Sequence, residues 1–538
     1  GEQPAEQPTE QPTEQPTEQP TEQPTQQPTE QPTQQPTEQP TEQPTDQPTE
    51  QPTEQPTQQP TDRSEESVTE SAGDVPATDE IGAAAWINPG SGSTDVIVQN
   101  ADSNTASPAI DAIAEYIGPG CSGGACTATK TIKPLASKQF SASSAPVGDG
   151  WQGSMVVSSS GGALAVAQTN WSGGNRYGAY TGFSQGCTDV YLPIVYRING
   201  KQNSGFAVQN TTSSDGVPIT IEFYHGGTGN LEHQVNDTLN AGEEKYYALK
   251  NYPLSFLGGS VHIQSTHEIA AVADTHWGGS NPTYSAMYSG FCGGQTTLYQ
   301  PVQFRLYQNG GWWTYSAINI QNTSPDTVAQ VKLEYFNTAT GNKDLTLNVE
   351  IDPLSGRGFN TMNGGTVPAN TFNPLKGTGT ASQPWWGGAV KITSNVPVVG
   401  VANTLWFNEE KAAQYGLAGL GDSGNALYFP LMQRAGGSWS YWSAALIQNL
   451  SDTNDANIHL YFYDRSGNLD LDFTSKVLAS SGRGFNTRTG GTVPAATFNA
   501  LGNNWLGSVY VTSNQPIIGA TQLIYGNDSS AYNAMVAP

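Results

Sequence analysis

Beyond residue 82 the chain reads as short apolar runs that alternate with polar and glycine-rich stretches. Ile219, Ile221 and Phe223 fall on one side of an alternating segment, as do Val331, Leu333 and Tyr335, and Ile458, Leu460 and Phe462. A period of two marks a half-buried strand. Each of these segments then meets a TGN or SGN turn, at Gly229, Gly341 and Gly467, which predicts a hairpin. Helical periodicity is absent throughout.

The same plan recurs four times, so the chain is a repeat protein by internal comparison. One landmark is an apolar strand ending in Gln-Asn: Val96–Asn100, Phe206–Asn210, Ile318–Asn322 and Ala445–Asn449. A second is a strand pair opening at Gly153, Gly259, Gly388 and Gly507. It places an aromatic 18 residues later, at Trp171, Trp277, Trp406 and Tyr525. Repeats two to four also open alike, with YLPIVYR from Tyr191, YQPVQFR from Tyr299 and YFPLMQR from Tyr428. About 110 residues per repeat, with turns every 8–12 residues, predict an immunoglobulin-like β-sandwich. A propeller blade would need only about 40–50 residues.

The expected fold is therefore all-β, with four tandem immunoglobulin-like β-sandwich domains at 83–189, 190–297, 298–426 and 427–538. An acidic linker (63–82) and a tetrapeptide stalk (1–62) precede them. The landmarks resemble the tandem immunoglobulin-like modules of bacterial surface proteins over about 450 residues. That resemblance implies a fold and brings no catalytic residues with it.

The stalk has its own pattern. A proline recurs every fourth residue from Pro4 to Pro60, and Thr follows it from Thr9 to Thr61. No large apolar side chain is available for a core. Proline fixes φ and extends the residue before it, so polyproline II is the expected state, with roughly 190 Å of reach over sixty residues. A period of four on a helix of three residues per turn sends successive threonines around all sides of the rod. Such Pro/Thr composition fits an O-glycosylated stalk or an undecorated acidic spacer. The array resembles the glycan-coated repeat cores of bacterial glycofibrils. That resemblance implies attachment at Thr9, Thr13, Thr17, Thr21, Thr25, Thr29, Thr33, Thr37, Thr41, Thr45, Thr49, Thr53, Thr57 and Thr61.

Charge changes the picture less than its total suggests. The net charge is −26, but residues 1–80 hold 19 acids against one base, which leaves −8 for the rest. With no basic cluster the chain is a poor candidate for binding anionic membranes, and no nucleic-acid partner is expected. No apolar run approaches the ~20 residues of a membrane helix. A chain that opens GEQPAEQP reads as a mature, exported form after signal removal, placed outside the cell or on its surface.

Candidate chemistry is sparse. Cys121 and Cys126 flank a Gly-rich loop that a local disulfide would close, and no second ligand pair supports zinc. Cys187 and Cys292 pair with each other, pair between chains or stay free. Five of the six histidines fall in repeat two (His225, His233, His262, His267, His276) and read as surface residues, with His262 on an outward face. Asp470 and Asp472 lack calcium-loop spacing. No nucleophile or phosphate-loop signature is present, so neither an enzyme, a metal nor a cofactor is expected. Trp312–Trp313, Trp385–Trp386 and Trp439–Trp442 fit sugar stacking or sandwich cores equally. SGRGFNT, from Ser355 and Ser481, suggests a shared packing contact or an arginine-bearing loop (Arg357, Arg483). N-glycosylation sequons stand at Asn170, Asn210, Asn236, Asn322, Asn449 and Asn527.

These features point to a structural subunit of an extracellular filament. Its partners would be copies of itself, joined by donation of the Ile81–Trp86 stretch to a neighbour's sheet edge, together with covalent glycans and a polysaccharide or cell-wall contact. The alternative is an adhesin or carbohydrate-binding protein on a spacer.

Overall fold

The computed structural model describes residues 79–537, apart from 84–91, 122–125, 149, 172–175, 199–200, 279–282, 309–310, 377–384, 407–410, 436–439 and 527. The threonine array from Thr9 to Thr61 and most of the linker lie outside the described residues. Residues Gly73–Pro538 form one compact unit, separate from Gly1–Ala72.

The unit is nearly all β, built from curled sheets. In repeat two the sheet runs Leu231–Leu239, Val217–His225, Gly258–Trp277, Cys187–Ile198, Gln202–Asn210 and Glu244–Ala248, with Tyr284–Ser289 added to the far half of Gly258–Trp277. The expected strand pair is here one long strand. Residues Gly259–Ser265 pair with Val217–His225, and Ile269–Trp277 pair with Gln202–Asn210. Its register against Cys187–Ile198 shifts between Gln264 and Ile269. A bent strand that passes from one layer to the other is a recognised way to turn a sandwich corner. Trp386–Trp406 and Asn504–Tyr525 do the same. Only repeat one keeps two strands, Ser154–Ser159 and Ala163–Trp171, in separate four-stranded sheets. The landmark glycine lies against the neighbouring strand: a Cβ on Gly388 would stand 2.3 Å from the Phe336 carbonyl oxygen.

Alternation built the cores as expected. Ile219, Ile221 and Phe223 are buried with Phe206 and Val208, and Leu333 and Tyr335 with Ile318 and Trp386. The first strand, Asp79–Ala83, pairs antiparallel with Ser154–Ser159, Asp79 opposite Ser159 and Ala83 opposite Met155. Of the stretch expected to reach a neighbour's sheet edge, Ile81–Ala83 lie on an edge of their own repeat, and the remainder lies outside the described residues.

The repeats do not run end to end; they close into a ring. The last strand of each, Arg176–Thr181, Tyr284–Ser289, Lys411–Gly416 and Asp528–Asn533, packs beside its counterparts, and the fourth packs against the first. Ile97, Val166 and Ala179 of repeat one share a core with Leu431, Leu523 and Tyr532 of repeat four.

The junctions reuse the landmarks. Ser154 Oγ donates to the Gly242 carbonyl (3.0 Å), Ser260 Oγ to Leu354 (3.1 Å) and Ser508 Oγ to Leu135 (2.5 Å), each from one repeat to the next. The three acceptors share a left-handed backbone, with φ of 61° at Leu135, 67° at Gly242 and 56° at Leu354, and Ser480 of repeat four has the same conformation at 54°. For a residue with a Cβ that conformation costs about 1–2 kcal/mol, so the surrounding contacts must hold it. The glutamine of the Gln-Asn landmark also spans junctions. Gln321 Nε2 donates to the Val261 carbonyl and Gln448 Nε2 to that of Val390.

Candidate functional site

On the ring axis one carboxylate joins all four repeats. Asp528 is fully buried, and its Oδ2 accepts the backbone N–H of Tyr177 (2.8 Å) and of Ser285 (2.9 Å). Its Oδ1 accepts the Ser529 N–H (2.7 Å), and the Ala412 N–H bonds the same carboxyl. Burial pushes this carboxyl well above the usual carboxylate range, while the four N–H groups pull the other way. The axial strands come close because small residues face the axis: a Cβ on Gly178 would stand 2.4 Å from Met287 Cγ. The fifth residue of each axial strand is a buried tyrosine: Tyr180, Tyr288, Tyr415 and Tyr532. Three of their hydroxyls donate to an opening strand of their own repeat, at Ile194, Val302 and Leu431.

Beside Asp528 lies a polar chain that sequence spacing does not announce. His276 Nε2 is 2.7 Å from Asp274 Oδ2, and His276 Nδ1 is 2.6 Å from Ser285 Oγ. Trp171 and Arg176 pack on the same ring from repeat one. The order Asp–His–Ser has the outline of a nucleophilic triad, but Ser285 is 0% exposed. A wholly enclosed hydroxyl meets no substrate in this conformation, and the chain instead ties repeat two to repeat one.

A cleft of about 640 Å³ opens between repeats two and three. Its floor is the sheet face of repeat three carrying Tyr315, Ala317, Asn319, Asn403 and Gly358; its roof includes Tyr196, Leu257 and Trp277 of repeat two. Trp277, Tyr315 and Leu405 form an apolar inner wall with Ala286 and Ala412. The Tyr196 hydroxyl accepts from Asn403 Nδ2 at 3.3 Å. Burial raises the Tyr315 phenol to about 12. Asn319 and Asn403 are each 3% exposed and both face the Tyr196 hydroxyl, but Asn319 Nδ2 and Asn403 Oδ1 complete no hydrogen bond within 3.5 Å among the described residues. Gly358 keeps the space above Asn319 open, since a Cβ there would stand 2.8 Å from Asn319 Oδ1.

The candidate residues read from sequence scatter over this frame. Cys121 is bonded to Cys126, and Cys187 to Cys292. Asn210, Asn322 and Asn449 are fully buried, and the Nδ2 of each donates to backbone carbonyls of its own repeat, such as Ser214 and Asn240 for Asn210. These three sequons are corrected to structural caps, because the fold leaves no nitrogen free for a glycan. Asn170 donates to Ser93 Oγ, Asn236 is exposed, and Asn527 lies outside the described residues. His262 is also corrected. It is 3% exposed, stacked on Tyr191 and held by Asp189 (3.0 Å) and Glu222 (3.3 Å). Trp386 and Trp505 are core residues whose Nε1 groups donate to Asp344 and Asp470, whereas Trp313 is exposed. Arg357 and Arg483 bind carbonyls of their own loops, Glu350 and Thr366 for one, Lys476 and Thr492 for the other. Among the described residues no group of three or more His, Cys, Asp or Glu side chains is placed to hold a metal.

Comparison with known proteins reaches mainly the N-terminal array. A family model described as PT disordered repeat matches residues 3–38 and 31–69. No curated protein matches the chain in sequence. Among solved structures, one titled "Crystal Structure of Thermotoga maritima 1070" is 17% identical, with 20% of this chain and 94% of that chain covered and a TM-score of 0.18. A likeness at that score decides neither fold nor function. The chain therefore joins a Pro/Thr-rich spacer to a β-rich repeat unit, and no helix among the described residues is long and apolar enough to cross a membrane.

Proposed function

We propose that the protein is an extracellular binding protein: a closed four-repeat head carried on a Pro/Thr spacer, which binds without catalysis. The observation that carries this reading is the closure of repeat four onto repeat one. It engages within one chain the faces that a head-to-tail polymer of repeats would need between chains. Two disulfides in the head and the spacer composition support an oxidising, external setting. On this reading the threonines from Thr9 to Thr61 carry glycans that keep the spacer extended. The test is sedimentation of the full chain purified from its native medium, with its intact mass measured. A monomer whose threonine-array peptides are heavier than their sequence by whole sugar increments is the expected result. Ordered polymers would overturn the monomeric head, and an unmodified mass would leave an undecorated spacer.

One observation favours a filament instead. Among the described residues Asp79–Ala83 is a five-residue edge strand pairing with Ser154–Ser159 alone, and an edge strand at the start of a head is the kind of element that β-augmentation exchanges between copies. Deleting residues 1–83 would dissolve such a filament.

A further inference from the structure

We infer that the cleft between repeats two and three is a binding site for a pyranose ring of a surface carbohydrate. This rests on the reading of the head as a binding protein and deepens it by naming the site and the ligand chemistry.

The starting observation is a difference between repeats. Asn319 occupies the second position of the landmark strand Ile318–Asn322. The other three repeats place Ile97, Ala207 and Leu446 there. Leu446 is 2% exposed and buried in the core shared by repeats three and four, and Ile97 is 1% exposed in the core shared by repeats four and one. An apolar residue at this position therefore helps seal the junction of repeats three and four and that of repeats four and one, whereas Ala207 joins no core shared between repeats. At the second junction an amide takes its place, and a cleft of about 640 Å³ stands open beside it.

The second observation is the state of the amides. A buried polar atom without a partner costs about 1–3 kcal/mol, and such atoms in native proteins call for an explanation. Here two of them, one donor (Asn319 Nδ2) and one acceptor (Asn403 Oδ1), line the same cleft. A hydroxyl both accepts and donates, so one alcohol group or a neighbouring pair satisfies both amides. The apolar wall of Trp277, Tyr315 and Leu405 supplies the complementary half. A ligand that offers hydroxyls on its edge and C–H groups on its face is a sugar ring, and aromatic surface with a few convergent polar groups is what such sites present.

Charge narrows the class. Among the described residues no Asp or Glu lines the cleft, although the chain carries 47 acids against 21 bases. The described lining thus offers a cationic ligand no carboxylate to pair with. Arg357 and His225 stand at the rim, which leaves neutral pyranoses and uronic acids, sharing the same ring, as the two sources.

The test uses the full chain and ligand-observed NMR with methyl glucoside, methyl mannoside, methyl galactoside and sodium glucuronate. Each is measured against wild type and the Asn319→Leu variant, which installs the residue repeat four already tolerates. The expected result is saturation transfer to at least one sugar, with affinity weakened tenfold or more in Asn319→Leu while the unfolding midpoint holds or rises. A neutral glycoside responding alone assigns a neutral pyranose, and glucuronate alone a uronic acid. Equal binding by wild type and variant overturns the site but leaves a binding head in place. No binding by wild type to any of the four overturns the pyranose assignment, and sedimentation of the same sample shows separately whether the monomeric head survives. Asn403→Gln, which copies Gln168 and Gln522 of repeats one and four, is the second variant. It keeps the amide but moves it, so a site built on this geometry loses affinity there too.

Discussion

If Asp528 clamps the ring, its removal must be felt in four repeats at once. Asp528→Ala leaves buried N–H groups at Tyr177, Ser285, Ala412 and Ser529 without their acceptor. An unsatisfied buried donor costs about 1–3 kcal/mol. Allowing for partial relaxation and water entry, the loss expected is about 3–6 kcal/mol. Asp528→Asn is milder. Its oxygen can keep the two donors now on Oδ2, but its NH2 then faces the Ser529 N–H, so about 1–3 kcal/mol is lost. The two variants also differ in pH response. Burial raises the folded-state pKa of Asp528, so the folded wild type holds a proton that the unfolded chain releases above the ordinary carboxylate range. Wild-type stability thus falls as pH rises from about 4, whereas the amide does not titrate. The deficit of Asp528→Asn is therefore larger at pH 4 than at pH 8. Urea unfolding followed by tryptophan fluorescence gives the magnitudes, and hydrogen exchange read by mass spectrometry gives the location. The clamp predicts faster exchange in all four axial strands of Asp528→Ala. A loss under about 1 kcal/mol, or faster exchange confined to Asp528–Asn533, would refute the four-repeat clamp.

Other outcomes follow from the same contacts. Ser508→Ala removes the hydroxyl bond to Leu135 at the closing junction and should lower stability by about 1 kcal/mol in urea; repeat three tolerates Ala389 at the equivalent place. Burial lifts the Glu244 carboxyl to about 7, above its unfolded value. Stability tied to its proton is present below about 4.5 and is lost as pH rises to about 7, by up to roughly 3 kcal/mol; Glu244→Gln should flatten that slope in unfolding curves taken between pH 4 and pH 8. The Cys187–Cys292 bond spans 105 residues and the Cys121–Cys126 bond five. On loop entropy the paired serine variant of the first should lose about 2–3 kcal/mol more than that of the second, read from thermal unfolding. Leu446→Asn should cost about 2–4 kcal/mol by putting an amide into a sealed apolar junction, whereas Asn319→Leu should cost nothing or stabilise; the two are compared in urea.

Much of the fold was legible because its signals are local. Alternation at Ile219, Ile221 and Phe223 marks a buried face whatever packs on it, and the turn at Gly229 follows from its left-handed backbone, φ 71°. The repeat landmarks were legible as repeats, though not for what they do. The serine after Gly259 and the glutamine before Asn322 recur because both bond backbone carbonyls of a neighbouring repeat. A carbonyl carries no side-chain signature, so the partner leaves no trace in the sequence and closure of the ring stays invisible. His262 was misread for a related reason. Alternation assigns its second face to water, but here Tyr191 and two carboxylates from adjacent strands cover that face. The axial tyrosines were hidden by spacing. They follow the landmark aromatic by nine residues at Tyr180 and Tyr415, eleven at Tyr288 and seven at Tyr532, because the intervening hairpin loops differ in length.

The cleft belongs to a further class, in which the signal is a departure from the repeat and not the repeat itself. A ring of four identical chains must change every junction together, since one substitution appears four times. Four repeats on one chain are free of that constraint. Leu446 and Ile97 can go on sealing two junctions while Asn319 opens a third, and the ring keeps its closure through Asp528 and the serine bonds. Where one repeat gives up apolar burial that its siblings retain, stability has been traded at that position, and trades of this kind gather at functional sites. Comparing the repeats with one another, and asking which copy breaks the shared rule, thus locates a site that no single motif announces.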